Sequence, residues 1–284
     1  MIKLAALSLI VLIMPFSASA AVWVITYPDS VIKHDERYVY PLSLLHLALE
    51  KTGVRYDIRP SSSPMRQEKS LKRLEENLEI NLVWSMTDTQ RENQLLPIRI
   101  PIAKGLIGWR MFLVHKEDPF LDTPISTLDD LLKYKPVQGI AWPDTKILQA
   151  NGFNVITARD YNEAKALVSG RVADFFPRSV IEISSELAAD EFKTLVIKPK
   201  LAIEYPSAMY FFVNKRNKTL AKLIETGLNR AIEDGSFDEL FYSHFQQLLE
   251  ELNFEGITYF ELSNPLLPMS AQTHKPALWY RPKK

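Results

Sequence analysis

Ile80-Asn81-Leu82-Val83-Trp84-Ser85-Met86-Thr87-Asp88-Thr89-Gln90-Arg91-Glu92 begins as an apolar strand and turns polar where the strand ends. The stretch from Ile80 to Trp84 is short, has no helical period, and is followed at once by hydroxyls, acids and an arginine. In an open α/β sheet small molecules bind beyond the carboxyl ends of strands, so a polar turn at this place is a candidate ligand contact.

The same alternation extends outward. Toward the N-terminus, Val22-Trp23-Val24-Ile25 reads as a buried strand ending at the turn-prone Tyr27-Pro28-Asp29-Ser30. A helix over 41–52 follows, with Leu44, Leu45, Ala48 and Leu49 on one face and Gly53 as its stop. Tyr56-Asp57-Ile58 is the next strand and 66–77 a polar helix. Strands alternating with amphipathic helices predict an α/β fold with parallel strands. Toward the C-terminus, two long apolar runs, 106–114 and 208–213, bracket a second α/β set. Within it, Thr127-Leu128-Asp129-Asp130 caps a helix, Gly139-Ile140-Ala141-Trp142 reads as a strand, and Asp144 or Thr145 caps the helix after it. Asp160 opens another helix that Gly170 ends, Ala173-Asp174-Phe175-Phe176 reads as a strand, and 181–187 as a helix. The apolar runs are expected to cross between two lobes, out and back.

Residues 1–20 read as a signal peptide, 21–112 as the first part of lobe 1, 113–207 as lobe 2, and 208–284 as the second part of lobe 1 with two amphipathic helices and a tail. In the tail, Asn264-Pro265-Leu266-Leu267-Pro268 and Trp279 are expected to form a strap along the first lobe. Lys3, the apolar run at 4–14 and the small-residue site Ala18-Ser19-Ala20 predict cleavage after Ala20 and a periplasmic mature protein beginning at Ala21. The run is about 11 residues, against roughly 20 for a membrane-crossing helix. With Cys 0 the chain has no lipidated cysteine, no disulfide and no thiolate metal site. Loss of Lys3 leaves 33 Lys and Arg from 34, against 34 Asp and Glu, a net charge of −1 that disfavours nucleic acid and anionic membranes as partners.

Catalytic patterns are missing from the sequence. His34, His46, His115, His244 and His274 show no metal spacing, and His46 and His244 read as structural residues on helices. No Gly-x-Ser-x-Gly elbow or phosphate loop occurs, and the pairs Glu75-Glu76 and Glu250-Glu251 are adjacent on helices, which is solvated surface. Three polar and aromatic stretches instead follow strands: the one from Trp84 to Glu92, Trp142-Pro143-Asp144-Thr145, and Asp174-Phe175-Phe176-Pro177-Arg178-Ser179. Their hydroxyls, helix-start amides, aromatic faces and two guanidinium groups suit a compact solute with an anionic group.

Ser85-Met86-Thr87-x-Thr89-x-Arg91-Glu92, a Pro-Ile segment before an apolar strand, Thr127-Leu128-Asp129-Asp130-Leu131 and Gly170-Arg171-x-x-Asp174, in that order, resemble family 3 extracellular solute-binding proteins. These are the amino-acid-binding proteins of ABC importers. The likeness covers about 22–250 and implies the type II periplasmic-binding fold, two α/β lobes joined by two crossing strands that close on a ligand. It also implies that Arg91 grips a ligand α-carboxylate, for which a bidentate guanidinium suits better than an ammonium. The segment from Ser85 to Arg91 is one residue shorter than the common pattern. Where the family has an aspartate for the α-ammonium, this chain has Pro177-Arg178-Ser179; two arginines on one cleft would favour a ligand negative at two places. Alternatively, Arg91 makes a surface ion pair with Glu92 or a neighbour, and Arg178 pairs with Glu182, four residues on.

The expected ligand contacts are Arg91, Arg178, Ser85, Thr87, Trp84, Trp142, Asp144, Thr145, Ser179, Tyr27 and Tyr205, with Tyr210 a further aromatic candidate. No catalytic residue, metal or cofactor is expected. The function read here is binding of a small anionic or amino-acid-like solute by a monomer that meets an ABC permease or a membrane sensor. The alternatives are a periplasmic dehydratase-like enzyme on the same fold, with Glu182 or Glu186 as its acid, and a sensory module without transport.

Overall fold

The computed structural model describes residues 21–281 apart from 32–34, 189–192, 253–255, 272 and 274; the expected signal peptide lies outside the described residues. The chain begins with β1 (Val22–Asp29), α1 (Val39–Thr52), β2 (Arg55–Pro64), α2 (Gln67–Glu75), β3 (Val83–Met86), α3 (Thr89–Gln94) and β4 (Leu96–Ile98). It continues with β5 (Trp109–His115), α4 (Leu128–Leu131), β6 (Val137–Gly139), α5 (Pro143–Ala150), β7 (Ile156–Ala158), α6 (Tyr161–Ser169), β8 (Phe176–Ser179), α7 (Val180–Ala188) and β9 (Leu195–Glu204). Last come β10 (Met209–Val213), α8 (Lys218–Glu233), α9 (Ser236–Leu252) and β11 (Thr258–Glu261).

Hydrophobic period translates directly into packing. Leu44, Leu45, Ala48 and Leu49 of α1 are fully buried, as are Ile224, Leu228 and Ala231 of α8, and α1 and α8 share one core. Each buried leucine there contributes about 2 kcal/mol relative to an exposed one. Helix starts follow their caps: Asp88, Thr127, Asp160 and Asn217 each accept a backbone N–H of the first turn.

β1 pairs with β2 in parallel, and β10 lies between β3 and β4, antiparallel to both. A four-stranded sheet runs β11-β9-β5-β8, and β6 pairs with β7 in parallel. The all-parallel expectation therefore needs correction at β5 and β10. Parallel neighbours need a helical crossover, whereas these two strands arrive from the other lobe without one. The apolar runs are also placed differently than expected: each is the first sheet strand after a crossing. The crossings themselves touch, with the Tyr205 N–H donating to the Gly108 carbonyl at 3.2 Å and Ile102 N–H to the Met209 carbonyl at 2.9 Å. We assign β1–β4, β10, α1–α3, α8 and α9 to the first lobe, and β5–β9, α4–α7 and β11 to the second.

The tail reaches further than the expected strap along the first lobe: ahead of it, β11 pairs in parallel with β9 of the second. The Ser263 N–H then donates to Asn151 Oδ1 at 3.0 Å, Asn264 Nδ2 to the Pro206 carbonyl at 2.9 Å, and Thr89 N–H to the Leu266 carbonyl at 3.1 Å. Leu278 and Trp279 finish by joining Met65, Leu74, Tyr210 and Phe212 in a core of the first lobe. The strap thus runs from the second lobe across the crossings to the first.

Candidate functional site

A cleft of about 600 Å³ opens between the lobes. Its first-lobe side carries Arg37, Tyr38, Gln67, Trp84, Ser85 and Arg91, its second-lobe side Arg110, Trp142, Asp144, Tyr161, Arg178 and Glu182. Arg91 is there because α3 is a short helix capped by Asp88, whose Oδ1 accepts the Arg91 N–H at 2.7 Å. The side chain folds back under the end of β3. Its Nη1 donates to Ser85 Oγ at 2.9 Å and to the Met86 carbonyl at 2.5 Å, its Nη2 to Gln67 Oε1 at 3.2 Å, and its Nε lies 3.3 Å from Asp88 Oδ2. Burial lowers the pKa of this guanidinium below its ordinary value, and Asp88 and Asp144 offset that only in part.

Four other arginines along the cleft are answered by carboxylates. Arg178 makes a two-pronged contact with Glu186, Nε at 2.7 Å and Nη2 at 2.6 Å, and Nη2 also lies 3.1 Å from Glu182. Burial opposes its charge, but Glu182 and Glu186 outweigh burial and push its pKa up. Arg110 Nη2 lies 2.7 Å from Asp144 Oδ1 and its Nη1 3.6 Å from Glu182; the Tyr205 hydroxyl donates to the same Asp144 oxygen. Arg37 holds Asp35 at 2.7 Å and reaches across to Glu186 at 3.7 Å, and Arg66 reaches Asp160 at 3.3 Å. The last two contacts join the lobes over the cleft. Tyr38 stands edge-on to Trp84 at 4.8 Å, an aromatic face on the first-lobe side.

Of the expected contacts, Arg91, Arg178, Ser85, Trp84, Trp142 and Asp144 line this cleft. Thr87, Thr145, Ser179, Tyr27 and Tyr205 do not, and Tyr210 also lies elsewhere, in the first-lobe core. The Thr87 hydroxyl is spent on Glu92, that of Thr145 on the Gly139 carbonyl, and that of Ser179 on the Leu106 carbonyl. Tyr205 is fully buried beneath Arg110, and Tyr27 packs against Tyr38 and Trp84. Of the pairings considered for the arginines, Arg178 does meet Glu182, while Arg91 pairs with a neighbour, Asp88, in a buried place and Glu92 bonds Arg99. Sequence reasoning missed Arg37, Arg110, Tyr38 and Tyr161. It also took His244, which lines the cleft, as structural. Among the described residues no cluster of His, Asp and Glu could hold a metal ion.

No family model matches the sequence, and neither does any curated protein. Solved structures do. An ancestral arginine-binding protein bound to arginine superposes with a TM-score of 0.57 at 16% identity, over 79% of this chain and 98% of its own. The substrate-binding protein of an amino acid ABC transporter gives 0.55 at 14%, over 80% and 100%. A histidine kinase sensor domain with similarity to periplasmic binding proteins gives 0.56 at 12%, over 79% and 96%. The chain has the two-lobed type II periplasmic-binding-protein fold.

Proposed function

We propose that this chain binds a small, carboxylate-bearing, amino-acid-like solute in the periplasm, closing its two lobes over it without chemical change. Arg91 carries the reading. Arg37, Arg110 and Arg178 each have a carboxylate within 2.7 Å, whereas the nearest acid to the buried Arg91 lies at 3.3 Å and also serves as a helix cap. A buried cation bonded mainly to neutral groups favours an arriving anion, and a fork favours a carboxylate. Beside it, Trp84 and Tyr38 offer an apolar face for the rest of the solute.

A ligand negative at two places has less support, because Glu186 and Glu182 already answer Arg178. The dehydratase reading has less support for the same reason, since Arg178 engages both Glu182 and Glu186. Delivery to an importer and presentation to a sensor both fit, as the fold serves an ABC transporter in one neighbour and a kinase sensor in another. No helix among the described residues is long and apolar enough to cross a membrane.

Mass spectrometry of small molecules released from natively purified protein identifies the solute. Arg91→Lys keeps the charge and loses the fork, and a charge-assisted contact of about 1.5 to 3 kcal/mol implies roughly ten- to a hundredfold weaker binding. Retention of the solute at the wild-type level by the Arg91→Lys and Arg91→Ala proteins would overturn the assignment.

A further inference from the structure

The second-lobe wall holds an aromatic cage with an acid at its back. The Arg178 guanidinium carbon lies 4.9 Å from the Phe176 ring centre, 5.1 Å from that of Trp142 and 5.7 Å from that of Tyr161. Trp142 and Phe176 are nearly parallel, 14° apart. Glu186 takes two of the guanidinium nitrogens at 2.7 and 2.6 Å, and Glu182 stands 3.1 Å from one of them. Aromatic faces around a flat cation, with a carboxylate in its plane, make up the site a protein builds for a guanidinium ligand. All of these groups belong to the second lobe, on α5, α6, β8 and α7 or the turns that lead into them.

We propose that Arg178 is a specificity-determining residue: the second-lobe wall is a complete guanidinium receptor, Arg178 fills it from within, and the cleft therefore rejects solutes that bring a flat cation to that wall. The inference rests on the reading that solutes enter this cleft. Arg178 is tethered beside its receptor, so its effective concentration exceeds that of any free competitor at ordinary levels. A solute with a guanidinium side chain would have to expel a fully paired side chain and leave it unpaired in a buried place. The solute's end facing this wall is thus neutral or small.

Arg178→Ala empties the receptor and leaves Glu186 facing the cage. Thermal melting with methylguanidinium as probe, and methylurea as its neutral counterpart, reads the result. The variant should melt below wild type and regain stability in a saturable way with methylguanidinium, at least about tenfold more effectively than with methylurea; wild type should respond to neither. Adding Trp142→Ala to the variant should abolish the rescue. The probe has no carboxylate and makes no demand on Arg91, so rescue persists in an Arg91→Ala/Arg178→Ala protein even if the carboxylate assignment fails. An Arg178→Ala protein that gains nothing from methylguanidinium, whether it is folded or stays unfolded at every concentration, overturns the proposal. So does wild type that binds arginine about tenfold better than citrulline, its neutral isostere.

Discussion

Gly108 and Tyr205 meet backbone to backbone where the chain passes between the lobes: a Cβ on Gly108 would stand 2.1 Å from the Tyr205 carbonyl oxygen. No rotamer relieves that overlap, because both partners are main chain. Gly108→Ala should cost about 3 kcal/mol, the upper end of ordinary overpacking, by forcing the crossings apart. Urea denaturation checks it; a loss under about 1 kcal/mol would show that the crossings yield freely.

The two ion pairs that join the lobes should differ in weight. Glu186→Gln keeps the shape but strips the charge partner from Arg178 and from the cross-lobe contact of Arg37, a loss of about 3 kcal/mol. Arg66→Ala removes a pair whose arginine side chain is 69% exposed, so less than about 1 kcal/mol is expected, vanishing in high salt. Equal losses would contradict this ranking.

His244 sets a pH dependence. Burial holds its pKa below the ordinary 6.5, and Glu36 offsets that only partly. The unfolded chain then binds a proton more readily than the folded one, so His244 contributes nothing above about 6.5 and lowers stability as pH falls from there toward the folded value. Melting curves between neutral and mildly acid pH should slope less for His244→Gln than for wild type, and an unchanged slope would assign the effect elsewhere.

Trp279 lies against Gly105, where a Cβ would come within 2.4 Å of the indole, and it shares a core with Met65 and Tyr210. Trp279→Ala should therefore cost about 4 kcal/mol, as for a buried aromatic. Chemical denaturation reads it directly, and a loss below about 1 kcal/mol would mean that the strap end is dispensable.

Export should remove residues 1–20. N-terminal sequencing of protein released from the periplasm is expected to begin at Ala21, and Met1 on the exported chain would contradict it.

Much of this was legible in the sequence, and the failures have physical causes. The long helices show because Leu220, Leu223, Ile224 and Leu228 repeat at helical spacing. Arg91 shows because it follows a strand and sits in the first turn of a capped helix. Arg110 was hidden inside an apolar run, and only the fold brings Asp144 and Glu182 to it. β9 was missed because Lys198-Pro199-Lys200 breaks its pattern. The strand bulges there: Met111 faces Ala202 while Leu113 faces Ile197, and Lys200 has a φ of 56°. Lys198 turns inward to three carbonyl oxygens of the 120–123 turn, a destination that no local period reveals.

The strap also bears on the order in which the molecule can be finished. β11 supplies the edge of the second-lobe sheet beside β9, and Leu278 and Trp279 complete a core of the first lobe, so both lobes wait for the last part of the chain. Until those residues emerge from the ribosome, β9 presents an open edge and the first-lobe core is unsealed, and pairings of such long sequence separation form slowly. A nascent chain kept from premature closure in this way remains threadable. Should residues 1–20 direct export, as the sequence leads one to expect, late completion would keep the chain available to a translocation channel and reserve folding for the far side.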